Sequence, residues 1–474
     1  MTFQSDKKKF DYKSTFSKSA SKLSEFIAGY RPEFLCHRYD NSPTALDYIL
    51  GLVACEKNTA NLERMEEAID QGEYRRYQQF ISNSKWDHSA VLSKVQLQAS
   101  EVLAAQKRKN GKPTGLIVDE SSHVKKGKMS VGVSRQYAGS VGKVDNCQVG
   151  VYASLCNASY ATLVNEKLFL PKNWVEDKNR CDKSDIPGNV RQFKTKPQLA
   201  LELVDECVAN GVAFDWVGGD GLYGHSYELG SGLDRRGLFF VLDVHKDETV
   251  FLEEPILAVP PRQGNKGRKP MHPKPDREPV RLDSYVMTLS ENDWTRVKVR
   301  KTVKGWLCLL VHKCTVWSWN GKDASAKKRT LLITRTEGDK PKTKYSFSNG
   351  ELEAYTSAEY AYFQSQRYWV ERTFDDSKNE LGLSDYQVRK WTGWHHHHAL
   401  VFMATLFMMN ERIENGEDIP LLSVRDYRIL MVVSMFGTPN QFQTKWEQMI
   451  TRHLKRQRDI DRYYQHEDEP KVVK

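Results

Sequence analysis

Past the basic stretch Lys107-Arg108-Lys109-Asn110-Gly111-Lys112-Pro113, the spacing of apolar residues changes from that of a helix to that of a strand. Leu116-Ile117-Val118-Asp119 reads as a short buried strand ending in a carboxylate, and two further extended runs follow at 148–155 and 161–170. Leu199, Ala200, Leu203, Val204, Cys207 and Val208 then mark one face of a helix. The run 214–220 predicts a strand closed by a glycine turn at Gly218-Gly219, and 238–244 a fifth strand. Three strands, helix, strand, helix, strand is the order of an α/β domain built on one sheet.

That order is that of an RNase H-like core, and the flanking sequence is of another kind. Before it, apolar residues recur at helical spacing through Leu46, Ile49, Leu50 and Val53, and Asn58, Gly72 and Asn83 punctuate short helices. Arg64, Arg75, Arg76 and Lys85 on those helices suit a helix-turn-helix-like DNA reader. Lys7, Lys8, Lys9, Lys13, Lys18 and Lys22 among serines predict a flexible basic arm.

After the core, seven of the chain's 17 prolines fall between Glu253 and Pro279 beside Arg262, Lys266, Arg268, Lys269 and Lys274, which marks an exposed connector. Alternating Val, Thr, Trp and Tyr across 281–347 predict an inserted β-rich subdomain, with Trp294, Trp306, Trp317 and Trp319 in a sandwich core. The chain is helical again from Ser357, and its last helix carries Lys445, Arg452, Lys455, Arg456 and Arg458. The expected architecture is therefore α/β: an RNase H-like catalytic core interrupted by a β-rich insertion, with helical N-terminal and C-terminal regions. The expected units are an arm at 1–40, a helical DNA-binding domain at 41–110, the core at 111–250 and 356–415, the insertion at 251–355 and a basic helical region at 416–474.

Lys plus Arg number 71 against 61 for Asp plus Glu, a net charge of +10 that favours a polyanionic partner. The eight cysteines show no zinc-ligand spacing and read as reduced thiols. No leader opens the sequence, and its longest apolar stretch, 399–409, falls far short of the roughly 20 residues of a membrane span. A cytoplasmic, nucleoid-associated bacterial protein is expected.

Asp119 and Asp220 each close a predicted strand, where neighbouring strands can bring two carboxylates to one hard cation. A third acid lies in Arg367-Tyr368-Trp369-Val370-Glu371-Arg372-Thr373-Phe374-Asp375-Asp376-Ser377-Lys378, in which Arg367, Glu371 and Lys378 share one helix face. Asp375 and Asp376 are rivals to Glu371, whereas Glu120 points to the opposite face of its strand from Asp119. The run His395 to His398 reads as part of a helix start near DNA in preference to a metal site.

Arg367, Glu371 and Lys378 resemble the signature of IS4-type transposases: Tyr, two residues, Arg, three residues, Glu, six residues, Lys. The signature's tyrosine falls at Gln364, so that element is missing. The sequence is also similar to the IS701 family of DDE transposases. The matching residues are Glu371, Phe374, Lys378, Glu380-Leu381-Gly382-Leu383, Tyr386, Val388-Arg389, Trp391 and Gly393-Trp394-His395, together with Glu56-Lys57-Asn58, Val118-Asp119-Glu120-Ser121 and Gly219-Asp220-Gly221-Leu222-Tyr223-Gly224.

The resemblance implies catalytic and metal-binding roles for Asp119, Asp220 and Glu371, with Mg²⁺ or Mn²⁺, two ions, as cofactor. It implies cut-and-paste transposition, in which strand cleavage at the element ends is followed by strand transfer. Arg367, Lys378, Arg75, Arg76, Lys455 and Arg456 are the expected phosphate and DNA contacts. The expected partner is double-stranded DNA, both terminal inverted repeats and target, held by a homodimer in a synaptic complex. Two alternatives are a transposase-derived DNA-binding protein without cleavage activity and a stand-alone RNase H-fold nuclease.

Overall fold

The computed structural model describes residues 18–36, 38–69, 73–261, 271–302, 305–338, 340–415 and 422–467. The expectations for residues 1–17, Gly72 and the connector at 262–270 lie outside the described residues.

The chain opens with helices α1 (Ser19–Gly29), α2 (Ser42–Ala54), α3 (Leu62–Ala68), α4 (Tyr74–Ser82) and α5 (His88–Asn110). Residues 19–29 of the expected basic arm are instead helical, because Leu23 and Ile27 put an apolar stripe of α1 into the core and Lys22 pairs with Glu411 and Glu414. Gly111 stops α5 in a left-handed conformation (φ 65°), which only glycine adopts without strain.

Four strands follow: β1 (Gly115–Val124), β2 (Ser134–Ala138), β3 (Lys143–Asn157) and β4 (Tyr160–Leu168). β3 pairs antiparallel with β1, β2 and β4. Helix α6 (Lys196–Ala209) begins in a reciprocal Thr195–Gln198 cap and buries Leu199, Ala200, Leu203, Val204 and Cys207, while Val208 is exposed. It leads to β5 (Trp216–Gly219), then α7 (Tyr227–Arg235) and β6 (Phe240–Val244). β5 runs parallel to both β1 and β6. The order differs from the expected one by an additional strand, β2, between the first two predicted strands.

The strands of the expected β-rich insertion join the sheet of the core. β7 (Thr295–Thr302), β8 (Gly305–Ser318), β9 (Lys327–Thr336) and β10 (Thr343–Ser348) form an antiparallel meander, and β10 pairs with β6 from Tyr345↔Val244 to Ser348↔Val241. The result is a single ten-stranded sheet in the order β7-β8-β9-β10-β6-β5-β1-β3-β2, with β4 also on β3. The four tryptophans are half-buried, and Trp294 packs against the buried cluster that includes Val316 and Ile333. Arg335 lies over Trp294, Lys298 and Lys301 lie over Trp306, and the Trp319 indole N–H donates to the Asp323 carbonyl.

The chain ends in helices α8 (Ser357–Ser365), α9 (Arg367–Glu380), α10 (Trp391–Asn415), α11 (Val424–Phe436) and α12 (Pro439–Glu467). α10 is buried along most of its length, from Gly393 through Met409. It packs on β4, α5, α2 and α4, so one continuous core joins the N-terminal helices to the sheet. α12 sets Phe442, Trp446 and Met449 against the body, donates from the Tyr464 hydroxyl to the Thr302 carbonyl, and leaves Lys445, Lys455, Arg456 and Arg458 exposed.

Candidate active site

β1 continues through Asp119 to Val124 because β3 pairs with it along its whole length, so Asp119 lies mid-strand where the sequence predicts a strand end. What stops at this level is the parallel ladder. Val118 pairs with Gly219, and Gly219 with Leu242. Asp119, Asp220 and Asp243 are therefore the next residues on three adjacent strands, and they form one row at the carboxyl ends of β5 and β6. Ligands of α/β sheets are bound at that edge.

Each aspartate is fixed differently. Asp119 Oδ1 accepts from the Glu120 N–H at 2.8 Å. Asp220 Oδ1 accepts from the Leu222 N–H at 2.9 Å and so caps the turn Gly221–Gly224. Asp243 Oδ1 accepts from the Ser346 hydroxyl at 2.7 Å, across the β6–β10 pairing. The turn lies so close to β6 that a Cβ on Gly224 would stand 1.9 Å from the Asp243 carbonyl oxygen.

Helix α9 brings the third predicted acid and its cations over this row. Arg367 Nη2 lies 2.5 Å from Glu371 Oε1, its Nε 3.4 Å from Asp243 Oδ2 and its Nη1 3.8 Å from Asp220 Oδ2. One guanidinium thus faces three carboxylates, and it also acts on Asp119 through space. Burial pushes the Asp119 carboxyl up to about 7; Arg367 opposes this, and Asp220 and Glu120 add to it. Asp243 is raised by burial and held back by Arg367 and by the Ser346 bond. Burial lowers the Lys378 ammonium against the pull of Asp375 and Asp119.

Asp119, Asp220, Glu371, Arg367 and Lys378 are thus gathered at one place. Asp376 pairs with Arg372, and Glu120 turns to Lys196 at the start of α6, on the other side of the sheet from Asp119. Asp243 was missed by the sequence reading, although its signal was present: the run Val241-Leu242-Asp243 repeats the apolar-then-acid ending of Val118-Asp119. Gln364, at the position of the missing tyrosine, is buried and donates to the Ser346 oxygen at 2.7 Å.

The outlying expected contacts divide. Arg75 is exposed on α4, but Arg76 is engaged by Asp47 of α2 and helps to pack the helices. The four histidines expected near DNA are buried within α10. His395 meets Glu166 at 2.5 Å, and His396 lies between the Ile81 and Trp86 carbonyls. His397 bonds the Tyr48 hydroxyl and the Gly382 carbonyl, and His398 the Tyr152 hydroxyl and the Trp394 carbonyl. Those internal partners are available only inside the protein, which is why the run faces inward.

The acids of the row offer carboxylate oxygens, which suits a hard divalent cation, and a cation there would offset the burial and the repulsion from Asp220 and Glu120 that raise Asp119. Among the described residues, no three His, Cys, Asp or Glu side chains converge closely enough to hold an ion as they stand. Arg367 is a cation that reaches Asp220, Asp243 and Glu371.

Residues 34–305, more than half of the chain, match the family described as DDE superfamily endonuclease. That span includes Asp119, Asp220 and Asp243 and stops short of Glu371. Over 312 residues the chain is 24% identical to the "Probable transposase for insertion sequence element IS701" of Microchaete diplosiphon, which covers 65% of this chain and 67% of that one. Among solved structures, a piggyBac transposase synaptic complex with hairpin DNA aligns over 92% of this chain and 79% of that one, at 12% identity and a TM-score of 0.38, too loose a likeness to argue from. No helix among the described residues is long and apolar enough to cross a membrane. The chain is thus similar in sequence to an IS701 transposase, and it belongs to the DDE superfamily of endonucleases.

Proposed function

We propose that this protein is a DDE transposase that binds the ends of a mobile DNA element, cuts a strand at each end and joins the freed 3′-hydroxyl to target DNA. The observation that carries the reading is the alignment of Asp119 and Asp220 behind the paired residues Val118 and Gly219, with Glu371 linked to them through Arg367. In this reading β1, β3, β4, β5 and β6 form an RNase H-like core.

Asp119, Asp220 and Glu371 would hold Mg²⁺ or Mn²⁺, which supplies charge neutralisation at the attacked phosphate and at the oxygen that leaves it. The chain's own residues place the DNA. Lys378, half-buried beside Asp119, offsets the repulsion between the acids and the phosphates. Arg367 shares that task. Arg75 and the exposed Lys455 and Arg456 of α12 add sequence-independent affinity through the phosphate backbone. In the first step a water oxygen attacks phosphorus and the bond to the 3′-oxygen breaks, leaving a 3′-hydroxyl and a 5′-phosphate. In the second step that hydroxyl attacks a target phosphate and displaces another 3′-oxygen. Two element ends call for two protomers.

The test is incubation of the protein with DNA carrying the sequences that flank its coding region, in Mg²⁺ and in EDTA. Cleavage with joined products in Mg²⁺ alone supports the reading. Cleavage without joining would make the protein a nuclease, and binding with neither would make it a DNA-binding protein.

A further inference from the structure

Arg367 occupies an unusual position for a phosphate-binding cation: its guanidinium already faces Asp220, Asp243 and Glu371. The three acids are not equivalent partners. Asp243 is pinned from behind by a chain of donors, in which the Thr334 hydroxyl meets Gln364 Oε1, Gln364 Nε2 donates to Ser346 Oγ at 2.7 Å and Ser346 donates to Asp243 Oδ1 at 2.7 Å. Thr334, Ser346 and Gln364 are all buried. Every bond in the chain runs toward Asp243, so its carboxylate is oriented with Oδ2 toward Arg367. Glu371, by contrast, has a side chain 51% exposed and is bound by Arg367 across one helical turn.

We infer that Arg367 is an internal counter-cation that stands in for the divalent ion, and that Asp243 is the positioning residue that retains Arg367 when the ion takes Asp220 and Glu371. Close carboxylates repel unless a positive charge lies among them, and a guanidinium and a divalent ion compete for the same oxygens. A pinned fourth acid outside the ion's ligand set gives the guanidinium a place to remain. The inference rests on the proposed assignment of Asp119, Asp220 and Glu371 as ion ligands.

The experiment is calorimetric titration of the full-length protein with Mn²⁺ alone, without DNA, together with thermal melting in EDTA and in Mn²⁺. Arg367→Met is expected to bind Mn²⁺ about tenfold more tightly than wild type, the change that corresponds to about 1.4 kcal/mol. It is also expected to melt lower than wild type in EDTA and to recover in Mn²⁺. Asp243→Asn is expected to weaken Mn²⁺ binding, because Arg367 then presses harder on the ligands, and this effect should vanish in the Arg367→Met background. A mere loss of nearby negative charge would weaken binding equally in both backgrounds and would overturn the inference. Ser346→Ala, which alters no charge, should weaken binding in the same direction, and an unchanged affinity would count against the proposal even if Arg367→Met failed to fold. Wild-type protein that binds Mn²⁺ while Arg367→Met binds it no more tightly would sink this inference alone. Wild-type protein that binds no Mn²⁺ would sink the assignment of the ligands, and the inference with it.

Discussion

Asp119 and Asp220 follow directly on Val118 and Gly219, which pair with each other on adjacent parallel strands, so the two carboxylates are set side by side by backbone register. Register is a property of the whole ladder. The two acids should therefore keep their places when a side chain is replaced by one of similar shape, and substitutions there report on chemistry more than on folding.

Gly224 is the tightest point of the turn that carries Asp220. Because an added Cβ would meet the Asp243 carbonyl oxygen at 1.9 Å, Gly224→Ala should force the turn away from β6 and destabilise the protein by about 2–3 kcal/mol. Thermal melting checks this, and an unchanged midpoint would contradict the packing described.

Lys378 is the predicted phosphate contact that lies beside Asp119 and feels both Asp119 and Asp375. Lys378→Ala should weaken binding to cleaved-end DNA alike for every end sequence and flatten the slope of log affinity against log salt by about one unit. Replacing both Lys455 and Arg456 by Ala should flatten it by about two. An unchanged slope in either case would show that these cations face only water.

The buried histidines make the fold sensitive to acid. Burial holds His88 down to about 4 and His395, His396 and His397 down to about 3, and it places His123 and His398 well below their ordinary value. With folded values depressed below the unfolded value, the folded state binds fewer protons at mildly acid pH. The histidines' contribution is complete above about 6.5 and is lost as pH falls from there through the folded values of about 4 and about 3, by about 1.4 kcal/mol per pH unit for each proton taken up on unfolding. Melting curves between pH 7.5 and 5 should show this steep decline, and a flat profile would contradict the burial. Glu166 works the other way. Burial raises it to about 8, so its unfavourable ionisation grows from about pH 4.5 upward.

How much of this was legible in the sequence follows from the range of each interaction. Asp119 and Asp220 could be read because an apolar run ending in an acid is a local pattern, and Glu371 because helical spacing places it beside Arg367 and Lys378. Asp243 ends a run of the same local kind, and what marks it out, Leu242 pairing with Gly219 and the bond from Ser346 103 residues away in sequence, is long-range. The same long-range pairing turned the expected insertion into four more strands of one sheet. Composition misled at the histidine run and at Trp306: His395 to His398 are polar yet find internal partners, and the large ring of Trp306 lies under Lys298 and Lys301.

The most direct test compares Mg²⁺-dependent strand cleavage by Asp119→Asn, Asp220→Asn, Glu371→Gln and Asp375→Asn with their binding to the same element-end DNA. The first three are expected to lose cleavage and keep binding, while Asp375→Asn cuts as wild type does. Cleavage retained by Glu371→Gln and lost by Asp375→Asn would contradict the assignment of the third acid, and cleavage retained by Asp119→Asn or Asp220→Asn would contradict the account of the site itself.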